Sequence, residues 1–319
     1  MPNLKLQSPK ISIIMPVYNV APFVAKALQS CVEQSFKDIE IICVDDCGQD
    51  ESMDIVASFA RKDERIRIVR NKQNLGLLHA RFEGAKIARG EYIMFLDSDD
   101  FLDSRACEIA LRASENGRFD VVSLGYIHFE EENGGGYKEL YRLHFENAKY
   151  SKEEFFKKCL KYYSVNWHIW GRLIKKNLYE KVINLLGNID KKILSAEDVL
   201  QNFILFNLAS SFKELGEELY FYRKNPKSIS ASSKITQIQT NIKSHDEAIA
   251  IIQNLAQKNL LNQKITRLFI YLLRRARYHI CLDLLSVQDK FSTRHKLEKY
   301  LYKKRYKFKR MLYRLFGVI

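Results

Sequence analysis

Residues 92–103 read YIMFLDSDDFLD: five apolar or aromatic residues run into Asp97, Ser98, Asp99 and Asp100, and Asp103 follows. Carboxylates crowded at one point repel each other, so they call for a positive charge. An Asp-x-Asp at the end of a strand is a hard, oxygen-rich donor set. It suits Mg²⁺ or Mn²⁺ shared with a phosphate, because these ions keep few protein ligands and leave positions for a substrate. Other readings fit less well. A calcium loop starting at Asp97 would place Phe101 and Leu102 where a ligand and the turn glycine belong, and a strand would precede it instead of a helix. A dinucleotide or phosphate loop needs glycines after the first strand, and MPVYNVAPF has none. Capping of a helix near Ser104 needs one Asp, not four acids in seven residues.

The elements that position these acids follow from periodicity. ISIIMPV (11–17) reads as a buried strand, and Pro22 suits the first turn of a helix with Val24, Leu28 and Cys31 on one face. IEIICV (39–44) is a second strand, and Asp50 is placed to cap a helix carrying Met53, Val56 and Phe59. RIRIV (65–69) is a third. A helix follows from about Gly76 with Leu77, Ala80, Gly84 and Ile87 at helical spacing, and Gly90 is placed to end it before YIMFL (92–96). Strands alternating with helices predict an α/β fold, a mostly parallel sheet covered on both faces. Ligands bind such sheets beyond the carboxyl ends of the strands. Tyr18 and Asn19, Asp45 and Asp46, and Asp97 to Asp99 all follow strand ends, so polar groups converge on one edge. Further on, residues 121–129 and 137–145 flank Gly134, Gly135 and Gly136 as a hairpin. From Ser151 the chain reads as turning helical, and after about Asn241 it reads as helical to its end.

The chain has 319 residues and a net charge of +14. Ten of those charges come from residues 290–319, with eleven Lys or Arg and one acid, Glu298. Aromatic and leucine residues interleave with them, and Leu301, Phe308, Met311, Leu312 and Leu315 fall on one helical stripe. That pattern suits an anionic membrane surface better than nucleic acid. No apolar run approaches the ~18 residues of a membrane span, and the first residues lack a signal-peptide pattern. A cytoplasmic protein, peripheral to a membrane, is the expectation. The six cysteines form no CxxC pair, which suits buried thiols in a reducing compartment and argues against a zinc site.

Taken in order, ISIIMPVYN, IEIICVDDCGQDES and NLGLLHARFEGAKIARGEYIMFLDSDD resemble the family 2 glycosyltransferases of the GT-A fold, over residues 10–103. WGRLIKKNLYE (170–180), AEDVLQNF (196–203) and FYRKNPKSIS (221–230) continue the resemblance. The whole pattern, including GLLHARFEG and AEDVL, is most similar to bacterial β-1,3-galactosyltransferases that build lipooligosaccharide outer cores. The resemblance implies a catalytic GT-A domain over 1–230, while residues 231–319 carry no family motif and read from their own pattern as a helical, basic, membrane-associating region. It implies a UDP-sugar donor, a glycan or glycolipid acceptor, and Mn²⁺ or Mg²⁺. Pro16 and Tyr18 match the nucleoside pocket, and Asp46 or its neighbour Asp45 matches the acid that accepts from the uracil N–H. Asn74 and Arg81 match donor-contacting positions. Asp97, Ser98 and Asp99 match the metal motif, with Asp99 the direct ligand and Asp97 nearer the ribose. Arg223 or Lys224 would reach the diphosphate when the loop closes.

Sugar transfer also needs a base for the acceptor hydroxyl. The matching position is Asp198, with Glu197 orienting it or binding acceptor. Both also suit the first turn of a helix through its dipole. Trp170 reads either as lining the acceptor or as core. There is no Q-x-x-R-W after the Glu-Asp pair and no run of membrane helices, which implies addition of single sugars; the resemblance implies inversion at the anomeric carbon. Two rival classes remain. A sugar nucleotidyltransferase would need a glycine-rich basic loop near the start, which is missing. A lipid- or nucleic-acid-binding module would act through the basic tail. The motifs leave donor sugar, acceptor linkage and oligomeric state open.

Overall fold

The structure, a computed structural model, describes residues 8–132, 136–162, 165–187, 189, 193–225, 235–258 and 260–287. They fall into two units. The first lies within Met1–Phe155, Asn166–Ile193 and Glu197–Asn225, and the second within Phe156–Val165, Leu194–Ala196 and Pro226–Ile319.

In the first unit the opening apolar run forms β1 (Ile11–Val17), buried along its whole length. A strand without polar alternation needs cover on both faces. α1 (Ala21–Val32) follows it, then β2 (Ile39–Asp45), α2 (Ser52–Ala60), β3 (Ile66–Arg70), α3 (Leu77–Ile87) and β4 (Tyr92–Phe95). The strands match the expected ones to within about a residue at the ends, and the three helices fall between them as expected. β1 pairs in parallel with β2 and β4, and β3 adds in parallel to β2. Val17 lies opposite Asp45, and Asp45 opposite Arg70, so the carboxyl ends of β1, β2 and β3 finish level.

Two local readings change in detail. Asp50 does not cap its own helix in the ordinary way. Its Oδ1 accepts from the Ser52 N–H at 3.1 Å, and its Oδ2 accepts from the Ala21 N–H at 2.8 Å, so one carboxylate joins the starts of α2 and α1. Gly90 does not end α3, which stops at Ile87 with Ala88 extended. Gly90 is glycine because a Cβ there would lie 2.7 Å from the Ser12 backbone nitrogen. Gly84 sits where α3 meets the sheet, and a Cβ would lie 2.5 Å from Ile14 Cγ2 and 3.0 Å from Val44 Cγ2. Ile14 is fully buried and stiff at its branched Cβ, so it cannot give way. Gly84→Ala gains at most ~1 kcal/mol of helix propensity, while overpacking costs about 1–3 kcal/mol. A net loss of stability is therefore expected, read as a lower urea midpoint at unchanged slope. A midpoint at or above wild type would refute that packing.

Beyond β4 come β5 (Phe101–Leu102), α4 (Ala106–Ala113), β6 (Val121–Glu131), β7 (Tyr137–Leu143), β8 (Lys149–Ser151) and α5 (Lys152–Tyr162). β9 (Arg172–Lys175), α6 (Lys176–Leu186), α7 (Glu197–Leu208) and β10 (Ser211–Arg223) complete the first unit, and α5 belongs to it only as far as Phe155. The expected hairpin is present as β6 and β7 in antiparallel pairing. The reading of the chain after Ser151 as helical is corrected, because β9 and β10 both join the sheet. β9 runs antiparallel between β4 and β6, and β10 runs parallel to β6. The strand order is β3-β2-β1-β4-β9-β6-β10-β5. The register of β10 on β6 slips between Glu214 and Glu218 and again before Tyr220, which erases its period-two pattern.

In the second unit α8 (Ile235–Gln257) and α9 (Gln263–Val287) pack together. Ala248, Ile252, Phe269 and Leu273 are buried, and Arg277 pairs with Asp246 at 2.5 Å. Among the described residues no helix is long and apolar enough to cross a membrane. The basic run of 290–319 and its apolar stripe lie outside the described residues.

Candidate active site

The level strand ends bring the expected groups to one edge. Pro16 is buried near the end of β1, and Tyr18 leaves the edge 48% exposed. Asn19 adopts a left-handed backbone, φ 53°, and its Oδ1 accepts from the Gln49 N–H at 2.7 Å. That bond ties the loop after β1 to the loop after β2.

At the end of β2 the two acids differ. Asp46 is buried and accepts from Asn71 Nδ2 at 2.8 Å, the Leu75 N–H at 2.8 Å and the Gly76 N–H at 2.9 Å. A carboxylate offers about four lone-pair positions, so Asp46 retains one. Asp45 accepts from the Cys47 N–H at 3.0 Å and lies 3.9 Å from Arg70 Nε. Asn74 is half-buried in the loop that enters α3.

The acidic turn is held from behind by β10. The Tyr220 hydroxyl donates to Asp100 Oδ2 at 2.6 Å and accepts from the Asp97 N–H at 3.2 Å. The Arg223 N–H donates to Asp100 Oδ1 at 2.7 Å, and Arg223 Nε donates to the Asp99 carbonyl at 2.6 Å. Asn225 Nδ2 donates to Asp99 Oδ2 at 2.9 Å. Ser98 is buried within the turn. Arg223 is 4% exposed, also pairs with Glu131, and lies over the Phe23 and Phe129 rings. Arg223 thus braces the turn in this structure. Lys224 pairs with Glu130 at 2.9 Å.

Burial pushes the carboxyls of Asp97 and Asp99 above their usual range, and Asp100 well above it, with mutual repulsion adding for Asp100. Among the described residues, Oδ2 of Asp97 and Oδ1 of Asp99 have no hydrogen-bond partner. No third His, Cys, Asp or Glu joins them to cage an ion among the described residues. Two hard oxygens in a buried, repulsive pair fit a divalent cation, which Asp97 and Asp99 would hold and which would supply charge neutralisation beside an anionic donor.

Arg81 on α3 is fully buried, and its fork meets both acidic motifs. Nη2 lies 2.7 Å from Asp97 Oδ1, and Nη1 lies 2.5 Å from Asp198 Oδ1. Burial disfavours its charge, but the Asp198 and Asp97 carboxylates outweigh that and hold the guanidinium well above its ordinary value. Asp198 lies in the first turn of α7, entered from Ala196 at φ 69°. Its neighbour Glu197 is pushed up to about 8 by burial and by the Asp198 carboxylate.

Trp170 is 5% exposed, so it belongs to the core and does not line an acceptor. Its ring stacks on Tyr220 at 4.3 Å and on His168 at 4.1 Å. Burial, with Arg172 nearby, pushes His168 down to about 3, so its imidazole is neutral. Tyr220, Asn225 and His168 were not singled out from the sequence. The only local signal for the first two was their place at the edges of FYRKN.

The family model described as "Glycosyl transferase family 2" matches residues 12–180. The chain belongs to glycosyl transferase family 2. It is 35% identical to the "Uncharacterized glycosyltransferase EpsJ" of Bacillus subtilis over 69% of this chain and 63% of that protein. It is 30% identical to the "Cholesterol galactosyltransferase" of Borreliella burgdorferi over 71% of this chain and 63% of that protein. The chain thus spans less than two thirds of either relative. Among solved structures it resembles S. aureus TarS 1-349 in complex with UDP-GlcNAc, with a TM-score of 0.60 at 21% identity, covering 82% of this chain and 71% of that one. This family 2 chain has the GT-A fold.

Proposed function

We propose that the protein transfers one sugar from a UDP-sugar to a hydroxyl of a bacterial surface glycan, with inversion at the anomeric carbon. The observation that carries this reading is the Arg81 fork, which holds the metal-motif acid Asp97 and the base position Asp198 on one guanidinium. The site thereby brings together a place for the donor's diphosphate and a carboxylate for the acceptor's proton. Tyr18 stacks on the uracil, and Asp46, with one lone-pair position left, or Asp45 accepts from its N–H. Asn74 contacts the donor from the loop before α3. Asp97 and Asp99 would hold Mn²⁺ or Mg²⁺, which neutralises charge building on the departing diphosphate. Asp198 takes the proton from the attacking hydroxyl, and Glu197 orients it or binds the acceptor.

Galactose is the donor sugar we favour and lipooligosaccharide the acceptor class. The GLLHARFEG and AEDVL motifs support both, and the similarity to a galactosyltransferase supports the sugar. Another UDP-hexose or UDP-N-acetylhexosamine is the alternative. The basic run at 290–319 supports attachment to the inner, anionic face of a bacterial membrane. The catalytic domain is proposed to span 1–230 and the basic helical region 231–319.

The test is a panel of UDP-sugars scored for UDP release with Mn²⁺ present, beside thermal melts. UDP with Mn²⁺ is expected to raise the melting temperature, one UDP-hexose to be turned over above the rest, and oligonucleotides to have no effect. A melt raised by oligonucleotides and unmoved by UDP with Mn²⁺ would make this a binding module instead.

A further inference from the structure

A guanidinium that contacts a donor must present N–H groups to open space, and Arg81 presents none: its side chain is 0% exposed. Nη1 and Nη2 face two carboxylates, and the third nitrogen, Nε, is buried without a partner. The guanidinium carbon lies 5.9 Å above the Phe95 ring centroid, so the sheet supports the fork from one side. The two carboxylates come from elements with separate histories in the chain. Asp97 follows β4, and Asp198 lies in the first turn of α7, 117 residues along from Arg81. Asp97 and Asp198 retain about a fifth of their side-chain surface each, and Arg81 none. The acids face the open side and the arginine lies beneath them.

We propose that Arg81 is a positioning residue that sets the distance and orientation of Asp198 relative to Asp97, and does not itself contact the donor. This rests on the reading of Asp198 as base and Asp97 as part of the donor's metal motif. In-line displacement needs the attacking hydroxyl, the anomeric carbon and the departing diphosphate on one axis. The diphosphate end of that axis is set beside Asp97 and the hydroxyl end beside Asp198. A planar fork with fixed N–H directions transmits one position to the other. It also occupies one oxygen of Asp198 and leaves Oδ2 to accept the proton. Lysine keeps the charge but offers a single flexible point, so it cannot span both acids at once.

The experiment combines Arg81→Lys, Arg81→Gln, Asp198→Asn and the double Arg81→Lys/Asp198→Asn. The readouts are UDP release from the donor found in the panel, with water as acceptor, the donor KM, and metal-free melting. For Arg81→Lys we expect kcat to fall ~10²-fold, the scale of a misplacement of about 1 Å, with KM within about threefold of wild type. Arg81→Gln, which keeps donors but loses the charge, should fall at least as far. The double variant should turn over no more slowly than Asp198→Asn alone, because residues acting as a unit are not additive. A raised KM with kcat preserved would make Arg81 a donor contact and overturn the proposal. Losses that multiply in the double variant would also overturn it while leaving the base intact. Wild-type turnover by Asp198→Asn would remove the base itself, and the proposal with it. Loss of a cooperative melt in both Arg81 variants would make the residue a core element only.

Discussion

Asp198→Asn is expected to lower turnover ~10²- to 10⁴-fold, the usual contribution of a general base, with UDP binding nearly unchanged. The amide keeps the shape of the side chain and can still accept from Arg81 Nη1 through its carbonyl oxygen, so the fork at the centre of the site should persist. What it lacks is an oxygen that can take a proton. The loss should therefore appear in kcat, with little change in KM. Glu197 is a poor substitute because its carboxyl is buried, and burial, the larger cause of its raised pKa, persists when Asp198 becomes an amide. If instead UDP affinity collapses while bound donor still turns over, Asp198 serves binding and the base lies elsewhere.

Asp99→Ala should abolish metal-supported transfer, by ~10³-fold if removing one electrostatic partner of the developing charge sets the scale. Its Oδ1 is one of the two motif oxygens without a hydrogen-bond partner among the described residues. The fold should tolerate the change. Burial already disfavours the Asp99 carboxylate, and Asp97 repels it, so removing it relieves a cost that offsets the lost bond from Asn225. Metal-free melting should then stay within a few degrees of wild type. The stabilisation that UDP with Mn²⁺ gives the wild type, about 2.7 kcal/mol at a hundredfold excess over Kd, should vanish. Chelation of the wild type should reproduce the loss, and added Mn²⁺ should reverse it. A variant that still transfers sugar in proportion to added Mn²⁺ would take Asp99 out of this role.

The stretch from residue 10 to 103 was legible because its signals are local. Each buried strand is a continuous apolar run and each helix shows its own period, so β1 to β4 and α1 to α3 appear where they were expected. The Asp97–Asp99 motif was legible for the same reason, since crowded like charges after a strand are visible without knowing their neighbours. β10 was not legible. Its register slips twice on β6, so no face repeats at every second residue, and only pairing with a strand about ninety positions earlier makes it a strand.

The sequence by itself determined the alternation of strands and helices, the edge on which the acids gather, and the identity of those acids. All of these follow from residue type and short-range spacing. Tertiary structure alone decided what each side chain faces. Trp170 became core because Tyr220 and His168 close on its two faces. Arg223 turned behind the acidic turn because the Asp99 carbonyl and Glu131 hold it there. Arg81 came to join Asp97 and Asp198 because α3 packs on β1 and β2 through Gly84, and α7 lies near α3. A guanidinium finds its partners through space, and no spacing along the chain encodes a contact across 117 residues.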